Sequence, residues 1–132
     1  MGVNCQIFTP ENYVELLLDN IDYNTNLYGK RILENDWGDG NILTVIVKRY
    51  IADCKKNKRS NKDIIKGLEN DIYAVEIDEY YYMQCLEKLD NLLIEENIEG
   101  KVKWKLFNED YLRKKFDCNF DYIVSNPPYI TY

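Results

Sequence analysis

The last stretch of the chain, Phe-Asp-Tyr-Ile-Val-Ser-Asn-Pro-Pro-Tyr-Ile-Thr-Tyr (residues 120–132), combines an apolar run with residues suited to chemistry on a planar amine. Asn126 offers a side-chain oxygen, and Pro127 a backbone carbonyl aimed by a rigid backbone. Two such acceptors can hold both hydrogens of an –NH2 group and turn the nitrogen lone pair towards an electrophile. Tyr129 offers a flat ring on which a planar substrate can stack. The same Pro127-Pro128 pair also serves simply to end a strand, because proline cannot donate to a sheet ladder. Three other stretches carry comparable groups. Leu-Glu-Asn-Asp-Trp-Gly-Asp-Gly-Asn (33–41) places Gly38 and Gly40 in a turn before a helix. There the backbone can approach a ligand closely and the helix amino end can offer N–H groups. Val-Glu-Ile-Asp (75–78) places Glu76 where a carboxylate can accept from both hydroxyls of a ribose, and Ile77 where an apolar side chain can lie on an adenine face. Asp78 reads as a helix cap, and Glu76 equally as a solvated strand-end charge. Asp110, in Phe-Asn-Glu-Asp-Tyr-Leu (107–112), is an acceptor for an exocyclic amine, or a plain loop acid.

The surrounding pattern says how these groups would be brought together. Thr9-Pro10-Glu11 reads as a helix start, followed by Tyr13, Val14, Leu17, Leu18 and Ile21 at helical spacing. A polar, Asn-rich connection (20–30) leads to a short strand at Arg31–Glu34. Ile42, Leu43, Ile46, Val47, Tyr50, Ile51 and Cys54 define a second helix. Ser60 caps a third that runs to Glu69, with Asp63 in a capping-box position. A strand follows at Asp71–Ile77, then an amphipathic helix carrying Tyr82, Cys85, Leu86, Leu89, Leu92 and Leu93. Strands at Lys101–Phe107 and Phe120–Ser125 complete the series, with Asn108–Cys118 as a polar loop or short helix between them. Strand-helix repeats predict an α/β fold with a parallel sheet. Right-handed crossovers place all carboxyl strand ends on one edge, where ligands of such sheets bind. The expected order is 3-2-1-4, with helices on both faces. All four chemical stretches then sit on that edge.

Composition narrows the function classes. The chain has 132 residues, 45% apolar and 30% charged, the size of one domain with its own core. No apolar run is long enough for a membrane span, and no cationic leader precedes the first helix. A net charge of −6 disfavours this stretch as the main grip on a nucleic-acid backbone. Lys55, Lys56, Lys58, Arg59 and Lys62 read as a solvated segment. Histidine is absent, and Cys5, Cys54, Cys85 and Cys118 form no Cys-x-x-Cys pair. A zinc site and imidazole catalysis are therefore not expected, and reduced thiols in a cytoplasmic protein are.

In their order along the chain, these segments resemble the S-adenosylmethionine-dependent amino-methyltransferases. More narrowly, they resemble the adenine-N6 DNA methyltransferases of restriction-modification systems. Phe-Thr-Pro-Glu-Asn-Tyr-Val-Glu-Leu-Leu-Leu resembles the leading helix motif, and Ile-Leu-Glu-Asn-Asp-Trp-Gly-Asp-Gly-Asn-Ile-Leu the glycine-turn motif. Val-Glu-Ile-Asp resembles the ribose motif, Asn-Glu-Asp-Tyr-Leu the adenine-holding one, and Asn-Pro-Pro-Tyr the catalytic motif. The resemblance implies a Rossmann-like fold and S-adenosylmethionine as cofactor. It implies that Thr9 and Pro10 border the methionine moiety, and that Glu34, Asp36, Gly38 and Gly40 form the cofactor turn. Glu76 would bind the ribose, with Ile77 against the adenine, and Asp110 would accept from the adenine amine, with Tyr111 beside it. Asn126, Pro127, Pro128 and Tyr129 would be the catalytic group, acting on an adenine flipped from DNA. The sequence departs from the family at Asp36-Trp37, where two small residues are usual. Further strands and a target-recognition domain are missing, so residues 1–132 are expected to be an amino-terminal piece of the catalytic domain, inactive or nearly so alone.

Two other functions fit parts of the pattern. One is a protein methyltransferase acting on a glutamine side-chain amide, whose family shares the Asn-Pro-Pro-Tyr segment but begins with a helical substrate domain. The other is a non-catalytic remnant that binds cofactor or a partner. The apolar Tyr122-Ile123-Val124 edge is further expected to support self-association.

Overall fold

The structure is a computed structural model that describes residues 11–35 and 41–125. Thr9, Pro10, Asp36, Gly38, Gly40, Asn126, Pro127, Pro128 and Tyr129 lie outside the described residues. The elements run α1 (Glu11–Asn20), β1 (Ile32–Asn35), α2 (Asn41–Lys56), α3 (Asn61–Asp71), β2 (Ile72–Val75), α4 (Glu79–Glu95), β3 (Lys105–Phe107) and β4 (Tyr122–Ser125). The strands form one parallel sheet in the order β3-β2-β1-β4. Glu34 lies level with Ala74 and Val124, and Asn35 with Val75 and Ser125.

Local chemistry explains the helix boundaries. Ser60 caps α3 by accepting from the Asp63 N–H at 3.1 Å, and Asp78 caps α4 by accepting from the Tyr81 N–H at 3.2 Å. The apolar stripe of α2 is buried along its whole length, from Ile42 through Ile46 and Tyr50 to Cys54. In α1 the buried face is Val14 and Leu18, whereas Tyr13 is exposed. Residues 55–62, the basic stretch, are exposed, with the Arg59 guanidinium 3.9 Å from the centre of the Tyr28 ring.

Three strands are shorter than the sequence pattern predicts, each for a tertiary reason. Asp71 closes α3 instead of opening β2, because its carboxylate accepts from the Gly29 N–H at 2.7 Å and from the Tyr50 hydroxyl. Lys103 sends its N–H to the Glu69 carboxylate at 2.9 Å, so the ladder starts only at Lys105. Phe120 leaves the strand path to join a ring cluster, 5.1 Å from Tyr73 and 5.2 Å from Phe116.

The two faces of the sheet differ. Ile32, Ile72, Ala74, Leu106 and Val124 share one core with the buried side chains of all four described helices. Leu33, Tyr73 and Val75, on the opposite face, are covered by Phe107, Tyr111, Phe116, Cys118 and Phe120. The sequence pattern predicts helices on both faces; among the described residues they pack on one. The reason is topological. The β1-to-β2 and β2-to-β3 crossovers step the same way across the sheet, so right-handedness puts both on one face. The β3-to-β4 connection steps back past β1 and must cross the other face. That connection is short and rich in turn residues, and it covers the sheet with aromatic side chains instead of a helix.

Among the described residues β4 pairs with β1 alone, and Ile123 is 56% exposed. An unpaired apolar edge is a template for pairing with another chain. We expect concentration-dependent self-association in sedimentation, abolished by Ile123→Lys; a monomer at every concentration would exclude edge pairing.

Candidate functional site

The carboxyl ends of β1, β2 and β3 open onto a cavity of about 330 Å³, lined by Asn35, Val75, Ile77, Asp110, Tyr111 and Leu112 together with Glu109. The topology dictates this meeting, because parallel strands joined by crossovers deliver all their carboxyl ends to one edge. Ile77 is 64% exposed although it follows a fully buried strand. Its apolar side chain is thus presented to the cavity mouth rather than to the core.

Glu76 is the opposite case, a carboxylate only 2% exposed. Burying an ionised carboxylate costs several kcal/mol unless donors surround it. One donor is local: the Asp78 N–H reaches Glu76 Oε2 at 2.9 Å. The backbone beneath is held as well. The Glu76 N–H donates to the Phe107 carbonyl at 2.9 Å, and the Asn108 amide donates to the carbonyls of Glu76 at 2.9 Å and Ile77 at 3.1 Å.

Asp110 organises the loop after β3. Its carbonyl accepts from the N–H groups of Arg113 and Lys114, and its Oδ1 from the Leu112 N–H at 3.0 Å. The tight turn this produces swings Tyr111 back over the sheet, where it packs in the Tyr73 cluster. The Lys114 ammonium lies 3.4 Å from the Glu109 carboxylate and 4.0 Å from the centre of the Phe107 ring.

The structure therefore brings Ile77, Asp110 and Tyr111 together around one cavity; Glu76, the residue before Ile77 in the chain, is buried and does not line it. Glu34 is placed differently. It is fully buried on the helix-bearing face of the sheet, one residue before the end of β1. Sequence reasoning places Asn35, Asn108 and Glu109 on this edge within their stretches but gives them no role of their own. Asn108 carried a signal in hindsight, a short amide at the first position past a strand. A larger cavity, about 820 Å³, lies at the other end of β3 between the C-terminal half of α4 and Trp104. It holds none of the predicted site residues. The strand-end cavity is the candidate site because acceptors from two strand ends and an apolar shelf converge there.

Comparison with known proteins agrees with this architecture. The chain is 29% identical to the type II methyltransferase M.PaeR7I of Pseudomonas aeruginosa over 94% of its own length. The chain resembles the restriction-modification methyltransferases. It is also 25% identical to the type II methyltransferase M.BstVI of Geobacillus stearothermophilus, again over 94% of its length. It spans 23% and 24% of the lengths of these two methyltransferases. No family model matches the chain. Among the described residues, no helix is long and apolar enough to cross a membrane.

Proposed function

We propose that residues 1–132 supply the S-adenosylmethionine-binding part of an adenine-N6 DNA methyltransferase of a restriction-modification system. The observation that carries this reading is the cavity that Ile77, Asp110 and Tyr111 line together at the sheet edge, with the buried Glu76 one residue before Ile77 in the chain. A nucleoside needs these three things at once: an acceptor for its hydroxyls, an apolar surface for its base, and an acceptor for its exocyclic amine. Glu76, Ile77 and Asp110 are of those types and stand on adjacent strand ends, with Tyr111 beside Asp110.

S-adenosylmethionine, when bound, supplies an electrophilic methyl group on a sulfonium. In this reading Thr9 and Pro10 border its methionine end, and Glu34, Asp36, Gly38 and Gly40 form the turn beneath it. Asn126 and Pro127 hold the target amine by its two hydrogens, Pro128 stiffens that acceptor pair, and Tyr129 stacks on the target base. Sequence recognition on DNA then belongs to parts of the protein beyond these residues. The type II methyltransferase relatives support DNA as the substrate over a glutamine amide.

Titration of the chain with S-adenosylmethionine tests the reading. Glu76→Ala should weaken binding by about 1–3 kcal/mol, the range for losing hydrogen bonds to a charged acceptor. Unchanged affinity in that variant would remove the ribose assignment, and no binding by the parent chain would remove the cofactor-site reading of these residues.

A further inference from the structure

We infer that Asn108 is a positioning residue that sets the ribose-hydroxyl selectivity of this site; the inference rests on the cofactor reading above. The β2–β3 ladder ends at Val75 opposite Phe107, closed by the Glu76 N–H on the Phe107 carbonyl. Beyond that rung β3 turns away into the Asp110 turn, so no main-chain donor of β3 continues the ladder. The Asn108 amide replaces them, with Nδ2 donating to the Glu76 carbonyl at 2.9 Å and the Ile77 carbonyl at 3.1 Å. One side chain thus extends the sheet by two residues, and these are the two that carry the acidic and apolar halves of the nucleoside site.

The consequence is geometric. Fixing two successive carbonyls fixes the peptide planes on both sides of Ile77. It therefore fixes the direction in which Ile77 projects and the position of the Glu76 backbone. On the other side the Glu76 carboxylate is held by the Asp78 N–H, and Asp78 in turn caps α4 through Tyr81. Glu76 is clamped between β3, through Asn108, and α4, through Asp78. Selectivity between a hydroxyl and a hydrogen depends on such holding, because an acceptor free to swing recovers a lost partner from water. Asn108 touches neither ribose nor base in this arrangement; it acts through Glu76 and Ile77.

The test compares S-adenosylhomocysteine with its counterpart lacking the 3′-hydroxyl, on the same 132-residue chain. The parent chain should prefer the hydroxylated ligand by about tenfold or more, the equivalent of one hydrogen bond to a charged acceptor. Asn108→Ala should reduce that preference to about threefold or less, while thermal unfolding shifts little because Asn108 is exposed. Asn108→Asp has the same shape without the donor and sets an oxygen against two carbonyls; it should lose the preference too. Retention of the full preference in both variants overturns the inference and leaves the ribose reading standing. A parent chain with no hydroxyl preference overturns the ribose reading and this inference with it. An equal loss of affinity for both ligands, with the preference intact, also overturns it, since that is the signature of a structural role alone.

Discussion

Replacing Asn126 with alanine is expected to lower methyl-transfer turnover by about a hundredfold or more in a catalytically competent protein carrying this sequence, with S-adenosylmethionine affinity almost unchanged. A hundredfold corresponds to about 2.7 kcal/mol of transition-state stabilisation. That is the scale for removing one preorganised partner aimed at the reacting group. In the proposed arrangement the Asn126 oxygen and the Pro127 carbonyl face the target amine, while the cofactor is held by other strand ends. β4 ends at Ser125, level with Asn35 at the end of β1. Glu76→Ala should give the mirror result, weaker cofactor binding with turnover largely recovered at saturation. Single-turnover rates at saturating cofactor, set beside a cofactor titration, separate the two. Loss of cofactor binding in the Asn126 variant with normal turnover at saturation would reverse the assigned roles.

The parallel run β1-β2-β3 was legible because its crossovers announce themselves by a change of period, from alternating residues in Ile72–Val75 to a helical stripe in α4. The strand limits were not. Lys101–Trp104 alternates as well as any strand, yet Lys103 finds its partner in Glu69, 34 residues earlier in the chain. Only the folded structure reveals such a competitor. The connection before β1 reads as polar and Asn-rich, but Tyr23 and Leu27 within it are fully buried. Its left-handed turns at Asp22, Asn26 and Gly29 use the residue types that tolerate positive φ, and that much was readable. What holds it was not: Asp53 accepts from the N–H groups of Asn26 and Leu27, and Arg49 donates to the Tyr23 carbonyl. For the candidate site, the meeting of Ile77, Asp110 and Tyr111 at one sheet edge was legible, because parallel strands deliver their carboxyl ends there. Asn108 was not, since a side chain that bonds to backbone across a ladder leaves no periodicity.

Asp71→Ala is expected to cost about 2–3 kcal/mol of stability, whereas Asp71→Asn should cost far less and flatten the acid side of the stability profile. Asp71 is 5% exposed and ties three segments together: the Gly29 N–H and the Tyr50 hydroxyl both donate to its Oδ2. Alanine leaves two buried donors without an acceptor. Asparagine can place its oxygen at the same point and keep both bonds while removing the charge. Burial raises the Asp71 carboxyl above its ordinary value of 3.8, against the lowering effect of Tyr50, Gly29 and Arg31. With a folded-state pKa above the unfolded one, the native state binds more protons in the interval between them. The Asp71 contribution to stability is therefore fully present below about 3.8 and is lost as pH rises through the raised value. The difference between parent and Asp71→Asn isolates this term from the other carboxylates, and denaturant unfolding across pH 3–7 measures it. Gly67→Ala attacks the same bond from the other side. A β-carbon at Gly67 would stand 2.2 Å from the Tyr50 hydroxyl oxygen and 2.9 Å from the Tyr28 ring. Tyr50 must move, so the substitution should destabilise by about 1–3 kcal/mol even though alanine is the better helix former. If the Tyr50–Asp71 bond is what both changes break, Gly67→Ala should cost much less in the Asp71→Ala background than in the parent. Additive costs would mean that Asp71 holds the Gly29 turn alone, and that Tyr50 contributes only by packing.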